Sequence, residues 1–113
     1  MKMLLMILSF PLLSSAATWS TGDYKIDLTK DSRGDWVSSG CEKSCPLIQT
    51  AKDYIQKNPL PAEELAGGKH PGSVICKKIN GKIIYLRNES SDEAFCELDK
   101  NTVSLSKLIQ FLD

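Results

Sequence analysis

The chain has 113 residues, with 14 lysine and arginine side chains, 14 aspartate and glutamate side chains and one histidine. This length suits a single domain with a thin core. The balanced charge argues against a nucleic acid or an anionic membrane surface as a partner held by bulk charge.

The first residues have the composition of a secretory signal peptide. Lys2 supplies the positive charge, residues 3–13 are mostly apolar, and small residues follow them. This apolar run is well short of the roughly 20 residues that span a bilayer. We therefore predict a signal peptide over residues 1–17, cleaved after Ala16 or Ala17. The expected location is secreted or periplasmic, with no membrane span after cleavage.

Residues 18–40 are polar and rich in turn-forming residues. Tyr24, Ile26 and Leu28 alternate with polar residues, which is the pattern of one short strand. An ordered but irregular arm fits the composition equally well. We therefore divide the rest of the chain into a polar N-terminal arm, residues 18–40, and a small disulfide-stabilised α+β domain, residues 41–113.

The clearest helical pattern runs from Pro46 to Lys57. Its apolar residues recur at spacings of three and four and therefore form one face. They are Leu47, Ile48, Ala51, Tyr54 and Ile55. Pro46 suits the first turn, where its missing N–H costs nothing, with Ser44 or Cys45 as the N-cap. Asn58–Pro59 ends the helix.

Residues 73–98 are rich in β-branched and aromatic side chains and predict strands. Asn80–Gly81 between two such runs indicates a hairpin, because a type I′ turn needs positive φ at both central positions. A third strand follows over residues 93–98, and residues 102–113 have the pattern of a short amphipathic helix. The predicted fold class is α+β, with an N-terminal helix, a three-stranded antiparallel meander and a short C-terminal helix.

The four cysteines, Cys41, Cys45, Cys76 and Cys96, predict two disulfides. An even number of cysteines in a small exported domain is typical of such cross-links. A structural zinc site usually has a second close pair of cysteines. A thioredoxin-like redox site has C-x-x-C in a βαβ pattern. We therefore expect no metal, cofactor or catalytic role for these residues.

The pairing of the cysteines is left open by their number alone. In a simple meander Cys76 and Cys96 lie on the first and third strands, about 10 Å apart. A disulfide needs Cα atoms within roughly 7 Å. We therefore favour an interleaved pairing, in which each of Cys41 and Cys45 bonds one of Cys76 and Cys96. The local alternative, Cys41–Cys45 with Cys76–Cys96, requires the first and third strands to be neighbours.

The segments "HPGSVICKKINGKI" and "AFCELDKN" resemble a family of small bacterial exported domains that are loosely labelled haemolysins. That family has Asn-Pro-Ala-Ser, a cysteine, a Gly-Gly pair and a second cysteine before a Pro-Asp-Gly turn. The matching residues, within Lys69 to Asn101, are Pro71, Ser73, Cys76, Gly81, Cys96 and Asp99. His70, Gly72 and Asn80 replace the family's Asn, Ala and first Gly, and two later cysteines of the family have no counterpart. The resemblance implies an exported domain of unknown role.

His70 is the one histidine and the first candidate for acid–base catalysis, because the adjacent carboxylates Glu63–Glu64 and Asp92–Glu93 are expected to be solvated surface. Ser73 is close in sequence, but no acidic residue follows in a known triad order. We therefore expect His70 to be an exposed loop residue. The lysines and the arginine of the predicted hairpin indicate ordinary surface charge. They are Lys77, Lys78, Lys82 and Arg87.

These features predict an exported, non-catalytic domain that binds another exported or surface protein or associates with the envelope, without cofactor, metal or nucleic acid. The first alternative is a small hydrolase that uses His70. The second is a membrane-active toxin. The best amphipathic helix candidate, Ser104 to Asp113, would be about 15 Å long, half the thickness of the hydrocarbon core, which argues against the toxin.

Overall fold

The computed structural model describes residues 16–112, so the predicted signal peptide lies outside the described residues except for its last two. Six strands form the sheet in this part of the chain. They are β1 (Ala17–Thr21), β2 (Tyr24–Lys30), β3 (Trp36–Ser38), β4 (Lys82–Arg87), β5 (Asp92–Leu98) and β6 (Asn101–Ser104). The α-helices are α1 (Pro46–Lys57), α2 (Pro71–Lys78) and α3 (Leu105–Leu108). All strand pairs are antiparallel, and the order β1-β2-β3-β6-β5-β4 closes into a barrel.

The barrel interior holds a small aromatic core. Trp19 is fully buried and meets Trp36 and Phe95 edge-on, with ring centroids 5.4 Å and 5.2 Å away. Leu28 and Leu86 complete this cluster. Because side chains alternate across a strand, every second residue of these strands faces inward. The interior of this small barrel is therefore filled by side chains.

A second core lies between the barrel and the helices. Val37, Cys96 and Val103 are buried on the outer face of the barrel, on β3, β5 and β6. The apolar face of α1 packs in the same cluster through Leu47, Ile48, Ala51 and Ile55. The sheet is thus covered on both faces where the helices lie, and this packing holds α2 against β4 and β5.

The closed barrel corrects the predicted fold of a helix followed by a three-stranded meander. Residues 18–40, predicted as a polar arm, supply β1, β2 and β3. In β1 and β2 only every second residue enters the barrel, as Trp19 and Leu28 do, and the residues that alternate with them are polar. Because half of β1 and β2 faces solvent, the segment as a whole has a polar composition.

Helix α2 replaces the first strand of the predicted hairpin. Its β-branched residues suggested a strand, but β-propensity depends strongly on context. Pro71 occupies the first helical turn, and His70 caps the helix, since its Nδ1 accepts the Gly72 N–H at 2.9 Å. Asn80 follows the helix with a φ of 66°. Asn-Gly therefore terminates a helix here, and the predicted hairpin turn is wrong.

Gly81 follows the C-terminus of α2 and lies directly against a disulfide. Its N–H donates to the Cys76 carbonyl at 2.8 Å, and the Asn80 N–H donates to the Lys77 carbonyl at 3.1 Å. This pair of bonds is the Schellman pattern of a helix C-terminus. A Cβ at position 81 would lie 2.6 Å from the Cys96 Sγ and 2.8 Å from the Cys76 Sγ. Glycine is needed at this position because of that close approach.

The disulfides join Cys41 to Cys45 and Cys76 to Cys96, with Cα separations of 4.8 Å and 5.7 Å. The prediction of two disulfides is confirmed, and the favoured interleaved pairing is wrong. The geometric argument placed Cys76 on a strand two spacings from Cys96. In the structure Cys76 lies on α2, which packs directly on β5, so the two sulfurs meet.

Helix α1 has its predicted bounds, with Cys45 as the N-cap. The predicted C-terminal helix is shorter than expected, because β6 takes Asn101–Ser104 before α3 begins at Leu105. A 3₁₀ turn at Ile109–Leu112 follows. Within residues 16–112, each helix is too short or too polar to cross a membrane.

A buried ion pair ties the β2–β3 turn to α3. Lys107 on α3 pairs with Asp31, and both side chains are buried. The Asp31 Oδ1 also accepts the N–H groups of Arg33 and Asp35, each at 2.9 Å. Burial raises the pKa of Asp31, but the bonds from Lys107 and the two N–H groups outweigh it, and the pKa lies below its ordinary value.

Candidate functional site

A groove of about 560 Å³ runs between α2 and the outer face of β4 and β5. Its volume lies within the roughly 300–1,000 Å³ that is usual for ligand sites. We call it the α2 groove. Its lining residues are Glu64, Lys69, His70, Ser73, Val74, Lys77, Lys78, Tyr85, Ala94 and Leu105.

The floor of the α2 groove is apolar. Val74 on α2 and Leu105 on α3 are buried, and Ala94 on the barrel strand β5 is partly buried. Gly72 allows α2 and α3 to approach closely, because a Cβ there would lie 2.1 Å from the Leu105 carbonyl oxygen. The floor is therefore built by contacts between distant parts of the chain.

Tyr85 forms one wall of the α2 groove. It pairs with Ala94 across β4 and β5, and it points outward because its neighbour Leu86 is in the barrel interior. Its side chain is 71% exposed, and among residues 16–112 it makes no ring–ring contact. Tyr85 also lines a second recess, where β1 meets β4 through the pair Ser20–Arg87.

The rim of the α2 groove is positively charged. Lys78 Nζ lies 3.3 Å from the Glu64 Oε1, an exposed pair of the kind that contributes little. Within the described chain Lys69 and Lys77 have no carboxylate partner. Two lysines without an ion-pair partner therefore line the same groove as the apolar floor, in a chain whose total charge is balanced.

His70 is exposed at the groove, as expected, and its contacts are those of a helix cap. Ser73 lines the same groove, yet the described residues include no hydrogen bond between the two side chains. A Ser–His relay needs a carboxylate to orient the imidazole through Nδ1. Here that nitrogen accepts the Gly72 N–H, and Glu64 is paired with Lys78.

Replacing His70 by alanine should lower the free energy of unfolding by about 1 kcal/mol, since α2 loses its cap. His70→Asn should lose much less, because an asparagine side chain can accept the same N–H. Urea unfolding followed by circular dichroism measures both. Equal losses in the two variants would contradict the capping role.

No metal centre is indicated by the side chains of residues 16–112, which contain no group of three or more His, Cys, Asp and Glu placed to hold an ion. The four cysteines are all in disulfides. The candidate chemistry of the site is therefore that of its tyrosine, lysines and apolar floor.

Sequence reasoning missed this groove. Val74 and Lys77 were assigned to a strand, which would put successive residues on opposite faces, whereas α2 places both at the groove. The available signal was "HPGS", in which Pro71 follows a capping residue and suits the first turn of a helix. Tyr85 was correctly placed on a strand but was not recognised as part of a groove.

The chain matches no protein-family model, no curated protein and no solved structure.

Proposed function

We propose that the protein is an exported, non-catalytic binding domain whose α2 groove receives a segment of another exported or surface protein. The observation that carries this proposal is Tyr85, a large aromatic side chain that stands 71% exposed beside an apolar floor. Tyrosine is enriched among the residues that dominate the energy of protein interfaces.

The contacts that hold the walls of the groove in place support a binding role. Cys76–Cys96 fastens α2 to β5, and Gly72 packs α2 against α3, so the groove walls are held in place without a ligand. A preorganised surface loses less conformational entropy when it binds. The two disulfides are compatible with a secreted or periplasmic location, where such bonds persist.

We also propose that the segment Lys69 to Asn101 belongs to the small exported family that it resembles. The disulfide Cys76–Cys96 supports this, because it joins the two cysteines of the shared pattern. The family relation would leave the role of the groove unchanged, since the family's own role is unknown.

Tyr85→Ala should weaken binding of the partner at least tenfold, whereas Tyr24→Ala should leave the affinity within about twofold. Tyr24 is the matched control, a tyrosine that is 42% exposed and lies outside the groove. The partner is first captured with a photo-reactive phenylalanine at position 85, using position 24 as the control. Its affinity is then measured by calorimetry with purified proteins.

The proposal fails if the adducts from positions 85 and 24 are the same, or if the purified partner binds Tyr85→Ala as tightly as the native chain. The hydrolase alternative has one favourable observation, the presence of His70 and Ser73 in one groove. It predicts that His70→Asn abolishes any hydrolytic activity found. The binding role predicts no such activity to abolish.

A further inference from the structure

We propose that the segment bound in the α2 groove is an acidic, extended peptide in which carboxylate side chains alternate with apolar ones. This inference rests on the proposed function and specifies the chemistry of the partner. The carboxylates face Lys69 and Lys77, and the apolar side chains lie on Val74 and beside Tyr85. The occupant is thus a protein segment of defined pattern.

The positive charge of the groove rim favours an acidic occupant. Glu64 lines the α2 groove and is already paired with Lys78. Lys69 and Lys77 have no ion-pair partner among residues 16–112. A segment with carboxylates at matching positions would complement this potential, and a basic segment would be repelled.

The apolar floor of the groove favours an occupant that also has apolar side chains. Val74, Ala94 and Leu105 form the apolar part of the lining of the same groove as the lysines and Tyr85. A purely acidic segment would leave this apolar part without contacts. In an extended chain successive side chains point to opposite sides, so alternation of acidic and apolar residues satisfies both the rim and the floor.

The path of the bound segment across the surface follows from the position of the second recess. Tyr85 lines both the α2 groove and the recess at the β1–β4 seam, so it stands between them. Arg87 in that recess bonds Asp92 at 3.1 Å, and both side chains are 72% exposed. Such an exposed pair is weak, and a carboxylate of the partner can compete for Arg87. The segment therefore crosses Tyr85 and ends near Arg87.

A second copy of this chain does not fit as the occupant in a two-fold, groove-to-groove contact. A two-fold contact between two α2 grooves would bring Lys69 and Lys77 of one copy against the same residues of the other. Like charges placed face to face disfavour association. Charge complementarity thus disfavours a two-fold dimer through the α2 groove.

The test uses two pools of capped peptides of about ten residues, long enough to cover both recesses when extended. In one pool glutamate alternates with a random apolar residue, and in the other lysine does. Binding to the ¹⁵N-labelled protein is followed by amide chemical shifts. We expect the acidic pool to shift residues of α2 and β4, and the basic pool to shift neither.

Charge reversal supplies the matched variants. Lys77→Glu should weaken binding of the acidic pool roughly tenfold, and Lys52→Glu, an exposed lysine of α1 outside the groove, should leave it unchanged. Added salt should weaken the native interaction and have less effect on Lys77→Glu.

The inference is overturned if the acidic pool does not bind, if both pools bind equally, or if the protein binds only vesicles of anionic lipid. These outcomes are distinct from failure of the proposed function. A partner that cross-links at position 85 and needs Tyr85, but whose bound segment lacks carboxylates and ignores Lys77→Glu, removes the inference and leaves the binding role intact.

Discussion

Replacing both Cys76 and Cys96 by alanine should lower the free energy of unfolding by about 3 kcal/mol or more. The bridge closes a loop with a sequence separation of 20, and the chain-entropy relation assigns about 3 kcal/mol to a loop of that size. Both residues are fully buried, so alanine also leaves unfilled space in the core between α2 and β5. Urea unfolding monitored by tryptophan fluorescence measures the loss.

The matched control is the replacement of Cys41 and Cys45 by alanine. That bridge closes a loop with a sequence separation of only 4, for which the same relation gives about 2 kcal/mol. The variant without Cys76 and Cys96 should therefore lose more stability than this control. A smaller loss for the Cys76 and Cys96 variant than for the control would contradict the role of this bridge in fixing α2.

Lys107→Met should destabilise the fold by about 3–5 kcal/mol, because it leaves the charge of Asp31 buried without a counterion. Lys52→Met, at an exposed position of α1, should change stability by less than about 0.5 kcal/mol. Thermal and urea unfolding of both variants test the difference. Equal stability of Lys107→Met and the native protein would show that the buried pair contributes nothing.

A double variant separates the effect of the buried charges on stability from the effect of the hydrogen bonds that Asp31 accepts in the turn. Asp31→Asn with Lys107→Met removes both charges, and the asparagine oxygen can still accept the N–H groups of Arg33 and Asp35. We expect this double variant to recover most of the loss of Lys107→Met, since two buried charges replaced together are often nearly neutral. A further loss in the double variant would indicate that the polar contacts of Asp31, and not its charge, decide the stability.

The pair of Lys107 and Asp31 should also make the stability of the fold depend on pH, with a loss in acid. The pKa of Asp31 is lower in the folded chain than its ordinary value near 4. The folded state therefore favours the carboxylate, and its contribution is present above that ordinary pKa. It is lost as the pH falls through the folded-state pKa. The single variant Lys107→Met should show a weaker acid-induced loss than the native protein.

Part of the fold was predictable because it is local. Helix α1 has a continuous amphipathic pattern, a proline in its first turn and Asn58–Pro59 after its end, and its bounds were correct. The strand β4 and most of β5 were also found, since their β-branched and aromatic residues form compact runs.

The barrel was not predictable in the same way because its closure is non-local. Val37 on β3 meets Val103 on β6, and Ser20 on β1 meets Arg87 on β4, across long stretches of chain. Nothing in the residues around Ser20 or Val37 specifies those partners. The pairing follows only when Trp19 and Phe95 are buried together in one interior.

The α2 groove was missed for a related reason. Its floor and walls come from α2, α3, β4 and β5, which meet only in the folded chain. A strand was predicted where α2 lies. That wrong assignment put the groove residues of this segment on two opposite faces. The corrected helix brings Val74 and Lys77 to the same side as Tyr85.

Hydrogen–deuterium exchange of the protein, with and without the partner captured at position 85, tests the central claim most directly. The measurement needs no substitution and covers every element at once. We predict slower exchange in peptides that contain α2 and β4, with no change in α1. Protection confined to α1 or to β1 and β2 would show that the partner binds elsewhere and would contradict the assignment of the α2 groove as the binding site.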